Sequence, residues 1–99
     1  MEQHIAIERL RDFAPEMRQA GISRLFLYGS VARNEACMGS DIDLAFEVDR
    51  SRSRFSLLDQ AKMQIRLSEY LGEPVDFLER EAIRKFARHT ADADMIEIF

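Results

Sequence analysis

From Ile5 to Met17 the apolar residues Ile5, Ala6, Leu10, Phe13, Ala14 and Met17 recur at helical spacing, which predicts an amphipathic helix. Pro15 falls inside that pattern and lacks the amide hydrogen a helix interior uses, so a kink or break is expected near Phe13. Gly21 suits the left-handed position that closes a helix. Ser23 to Tyr28 reads as a strand with Leu25 and Leu27 on one face and Phe26 and Tyr28 on the other. Apolar side chains on both faces predict burial from both sides. Ser30 to Glu35 fits a short helix, and Asp41 to Val48 a second strand followed by a polar loop over residues 49–54. Phe55 to Leu71 predicts a longer helix with Leu58, Ala61, Ile65 and Leu71 inward and Gly72 as its stop. Beyond Pro74, Val75 to Leu78 predicts a short strand, with Asp76 and Leu78 on one face and Val75 and Phe77 on the other. Glu79 to His89 predicts a helix packing through Ala82, Ile83 and Phe86. Residues 90–99 are ambiguous: Met95, Ile96, Ile98 and Phe99 fit an edge strand or a helical turn, and the strand is the preferred reading.

These elements fit one small α/β domain over residues 1–99, a mixed sheet flanked by helices around a single core. The formal charge is −4, with Lys and Arg scattered among acids, which disfavours direct nucleic-acid binding because that needs a concentrated basic surface. No apolar run approaches the ~20 residues of a membrane span, and no basic segment leads into an apolar one at the N-terminus. A lone cysteine, Cys37, excludes an internal disulfide and fits a reducing cytoplasm.

The stretch joining the first two strands carries the chemistry. It holds two Gly-Ser pairs, Gly29-Ser30 and Gly39-Ser40, and two aspartates one residue apart, Asp41 and Asp43. If Asp41 to Val48 is a strand, those aspartates share a face about 6.6 Å apart. Carboxylates that close repel each other unless a cation or a proton intervenes. Hard divalent ions such as Mg²⁺ suit them and commonly bridge to substrate phosphates. A Gly-Ser turn opening a short helix offers backbone amides and a hydroxyl to phosphate. Metal and polyphosphate are therefore expected to meet here. Ser30 also suits a helix N-cap, Arg33 alone would read as a solvated helix arginine, and Asp76 alone as a strand-end acid. His4 and His89 have no partner at metal-ligand spacing, Cys37 has no nucleophile motif, and Arg50, Arg52 and Arg54 read as a solvated basic loop.

The run Gly29-Ser30-Val31-Ala32-Arg33-Asn34-Glu35-Ala36, followed by Gly39-Ser40-Asp41-Ile42-Asp43-Leu44, resembles the signature of the minimal nucleotidyltransferases of the DNA polymerase beta-like superfamily. Asn34 stands where that family usually has Gly, and Asn tolerates positive φ. The resemblance is specific over Tyr28 to Leu44 and looser elsewhere. It implies a third carboxylate on a later strand, and Asp76 is the acid inside the third predicted strand. By the same resemblance Asp41, Asp43 and Asp76 are the catalytic, metal-binding residues, holding Mg²⁺ as two ions. Gly29, Ser30, Arg33 and Ser40 would bind the nucleotide, with Arg33 reaching the triphosphate and Ser40 orienting the turn into the second strand.

The reaction implied is transfer of a nucleoside monophosphate, most often AMP from ATP, to an acceptor hydroxyl. The chain ends soon after the core, so the acceptor is expected on a partner. The family pairs of this kind imply an antitoxin that adenylylates a tyrosine of a HEPN-type ribonuclease toxin and forms a hetero-oligomer with it. A non-catalytic module neutralising its partner by occupancy is the alternative, and transfer to a small molecule such as an antibiotic a weaker one.

Overall fold

The computed structural model describes residues 1–36, 39–85 and 94–99. Helix α1 (Gln3–Asp12) stops at Phe13, and α2 (Ala14–Ala20) begins one residue later with Pro15 in its first turn, where a missing amide hydrogen costs nothing. Gly21 closes α2 at φ +113°. Next come β1 (Ile22–Tyr28), the one-turn helix α3 (Gly29–Ala32), β2 (Ile42–Val48), α4 (Leu57–Leu71) and β3 (Val75–Glu79). Residues 80–85 are helical and are labelled α5; β4 (Ile96–Glu97) follows. The edge-strand reading of the C-terminal segment is thus correct for residues 96–97. Cys37, Phe86 and His89 lie outside the described residues.

The sheet runs β3-β2-β1-β4. β1 pairs antiparallel with β2 and β4, while β2 pairs parallel with β3, the crossover being supplied by α4. One face carries Leu25, Leu27, Ile42, Leu44, Phe46, Val75 and Phe77 and is covered by Ala6 and Leu10 of α1, Met17 of α2, and Met63, Leu67 and Leu71 of α4. Phe46 stacks on Phe77 with ring centroids 4.3 Å apart. On the opposite face Phe26 and Ala45 are buried with Ile83 of α5, and Tyr28 and Met95 pack against them. Among the described residues only part of this second face is covered.

Helix α4 departs from expectation. Leu71 points inward as the pattern requires, but Leu58 and Ile65 are 63% and 59% exposed and Ala61 is exposed too. The buried stripe is Met63, Leu67 and Leu71. Two polar contacts fix that rotation. Ser56 and Asp59 form a reciprocal capping box at the helix start, and Gln60, on the same side as Met63 and Leu67, donates to the Phe77 carbonyl at 2.9 Å. Phe55, expected inside the helix, is buried just before the cap. Among the described residues no helix is long and apolar enough to cross a membrane.

Candidate functional site

The site forms where β1 ends and β2 and β3 begin. β1 delivers the chain to Gly29 at φ +78°. A β-carbon there would lie 2.1 Å from Oδ2 of Asp43, so the turn's backbone rests against that carboxylate. Glycine meets both demands, left-handed backbone and close approach. Val31 and Ala32 are buried and anchor α3. The residue preceding α3 is Tyr28, and no side chain caps the helix, so Ser30 is not an N-cap; it sits half-buried inside the first turn. Asn34 adopts φ +60°, and the turn that usually takes glycine survives with asparagine.

Register aligns the carboxylates. Tyr28 faces Asp43 across the β1–β2 ladder, and Asp43 faces Asp76 across the parallel β2–β3 ladder. A row Tyr28–Asp43–Asp76 therefore crosses three strands on the partly covered face. Asp41 lies one residue before β2 and is exposed, and its charge acts on Asp43. Among the described residues no three acidic, histidine or cysteine side chains converge as a ready-made metal cage. Asp43 is instead the hub. Burial, then Asp76, then Asp41 push its carboxyl above the usual range, and Arg33 pulls it back down. The Tyr28 phenol is pushed up to about 12 by burial, then by Asp43 and Asp76. Tyr28 is thus a neutral hydroxyl beside a concentration of negative charge, and its place in the row was hidden because strand register is not readable from one strand's alternation.

These oxygen donors and their mutual repulsion match what a hard divalent cation neutralises, so the residues fit Mg²⁺. Arg33, which follows α3, donates from Nε to Glu35 at 3.1 Å and from Nη1 to Asp94 at 2.8 Å. Neither acid was marked as relevant from the sequence. Ser40 follows Gly39 in the approach to β2 and lines a cleft of about 530 Å³ with Asn34, Ala36, Glu73 and Pro74. None of the three residues of the carboxylate row lines that cleft.

The remaining candidates lie elsewhere. His4 is exposed and 3.5 Å from Glu2. Arg50 donates to the Phe55 carbonyl and to Glu79, and Arg52 sits 3.8 Å from Asp49, so this basic loop is partly tied down by its own surroundings.

Residues 7–98 match the family model of the nucleotidyltransferase domain. Over 73 residues the chain is 37% identical to a Methanocaldococcus jannaschii protein assigned as a protein adenylyltransferase, covering 74% of this chain and 75% of that one. A solved structure assigned as a minimal nucleotidyltransferase superposes with a TM-score of 0.78 at 28% identity, covering 97% of this chain and 95% of the other. A toxin–antitoxin structure with AMP-PNP gives a TM-score of 0.69 at 17% identity, over all of this chain and 73% of its counterpart, a likeness of fold. The Gly29 turn set against aligned aspartates and the family match over nearly the whole chain agree: the chain belongs to the nucleotidyltransferase domain family and is a nucleotidyltransferase.

Proposed function

We propose that the chain transfers AMP from ATP to a hydroxyl of a partner protein, a tyrosine of a HEPN-type ribonuclease toxin, and thereby acts as its antitoxin. The observation that carries this reading is the contact of the Gly29 turn with Asp43, which is itself in register with Asp76. A phosphate held by that turn would lie beside the carboxylates. In transfer, the acceptor oxygen forms a bond to the α-phosphorus of ATP, the bond to pyrophosphate breaks, and the hydroxyl proton leaves to Asp76 or to water. Ser30 donates to a phosphate oxygen, Ser40 sets the turn, and Arg33 offsets charge on the triphosphate. Asp41, Asp43 and Asp76 would hold Mg²⁺, which when bound would supply charge neutralisation and a lowered pKa for the acceptor hydroxyl. The adenylyltransferase relative and the AMP-PNP complex of a fold neighbour support the nucleotide and the chemistry.

The test is intact-mass analysis after incubating the protein and a co-purified toxin partner with Mg²⁺ and ATP. A gain of one or more AMP units on the partner, lost with Asp41→Ala/Asp43→Ala, is expected. A stable complex with no gain from any of the four NTPs sinks the reading. Neutralisation by occupancy is the second reading, favoured by the apolar outward face of α4, where Leu57, Leu58 and Ile65 are exposed. Protection against the toxin that survives the Asp41→Ala/Asp43→Ala change selects it.

A further inference from the structure

Arg33 reaches the site already engaged. Its guanidinium is forked between Glu35, two residues on, and Asp94, 61 residues on. Asp94 owes its position to β4, which pairs antiparallel with β1 through Phe26↔Glu97 and Leu27↔Ile96. Asp94 itself is helical and stands two residues before β4, and its bond to Arg33, the residue that follows α3, sets it beside that helix. The segment is pinned further by Ile98, whose amide donates to the Leu25 carbonyl at 2.7 Å, and by Leu25, whose amide donates to the Phe99 carbonyl at 3.2 Å. An acid from the far end of the chain therefore stands at the edge of the phosphate cradle, bonded to the cradle's own arginine.

We propose that Asp94 is a competing counterion that occupies Arg33 until a polyphosphate displaces it, so that Asp94 sets nucleotide affinity as a positioning residue. The inference rests on the nucleotidyl-transfer reading and deepens it. Three features support the exchange. An arginine fork that accepts a carboxylate matches a phosphate equally well. The Arg33 side chain is 42% exposed and that of Asp94 22%, and pairs this open to water are weak enough to be displaced. Glu35 holds the Nε side of the fork while Asp94 takes Nη1, so losing Asp94 frees one edge of the guanidinium with the other still held. Exchange is reciprocal: whatever loosens Asp94 from Arg33 tightens phosphate binding, and bound phosphate loosens the C-terminal segment from α3.

The experiment is calorimetric titration of inorganic tripolyphosphate, and separately of Mg–ATP, into the full chain at low salt. Asp94→Asn is expected to tighten tripolyphosphate binding about threefold, the size that an exposed ion pair allows. Asp94→Glu is expected to return it to the unmodified value, and Asp94→Asn to have no effect in an Arg33→Ala background. Unchanged or weaker binding in Asp94→Asn overturns the proposal, as does equal tightening without Arg33, which would mark only a long-range charge effect. In the unmodified chain, tripolyphosphate should move the Arg33 Nε and Asp94 carboxyl NMR resonances together; an unmoved Asp94 also overturns it. If the unmodified chain binds neither tripolyphosphate nor Mg–ATP, the transfer reading falls with this one. If it binds both and Asp94→Asn changes nothing, this inference alone falls.

Discussion

Position 29 has no room for a β-carbon. One added there would meet the Asp43 carboxylate at 2.1 Å, on a backbone at φ +78°. Gly29→Ala must therefore push turn and carboxylate apart, and a displacement of that order costs about 10²-fold in rate. Transfer kinetics should show that loss while circular dichroism still reports a folded chain; near-normal turnover would contradict the geometry. Asp43 makes the opposite kind of prediction. Its carboxyl is raised by burial, Asp76 and Asp41, so the folded state holds this proton more tightly than the unfolded chain does. The fold then loses stability as pH climbs from the ordinary carboxyl range through the raised value, and at neutral pH it bears the full penalty. Asp43→Asn removes the charge, so thermal melts at pH 7 should show it more stable than the parent, with the gap closing on acidification, even as transfer is abolished. A variant less stable at pH 7 would mean the carboxylate is held by favourable contacts instead.

At the scale of elements, α4 shows what periodicity alone can and cannot say. Its apolar residues fall in two stripes, Leu58–Ala61–Ile65 and Met63–Leu67–Leu71, and both satisfy helical spacing. The choice between them lies in partners elsewhere, Phe77's carbonyl for Gln60 and the Phe46–Phe77 stack for the aliphatic side chains. Leu67→Ala, fully buried, should cost about 2–5 kcal/mol in denaturant unfolding. Ile65→Ala should stay within about 0.5 kcal/mol; equal costs would put the sequence pattern's face back inward. Signals that are local were legible. Pro15 broke the first helix where its missing amide hydrogen dictates, Gly21 and Gly72 ended theirs in left-handed backbone, and the alternation in β1 and β3 placed each side chain on its observed face. The second strand starts at Ile42 rather than Asp41 because a strand's first residue is set by its neighbour's pairing, here Ile42 donating to the Pro74 carbonyl at 2.9 Å. Glu35 and Asp94 escaped for a related reason: the sequence does not show that Arg33 meets an acid 61 residues away.

For the whole molecule, the sheet order β3-β2-β1-β4 decides when in folding a site can exist. The Gly29 turn and Asp43 come from an antiparallel pair with a short connection, but Asp76 joins them only after the chain has gone out through α4 and returned as an edge strand. Closing that crossover is the slow, long-range step of such a topology, and an edge strand is among the first parts of a sheet to open again. Asp76 therefore sits on an edge strand that pairs with β2 alone among the described residues. Between those events the molecule can keep its β1–β2 half while Asp76 is away from Asp43. On the proposed reading, a cation held at Asp43 and Asp76 would make occupancy of the site and closure of β3 one equilibrium and would fasten the far edge of the sheet to its centre.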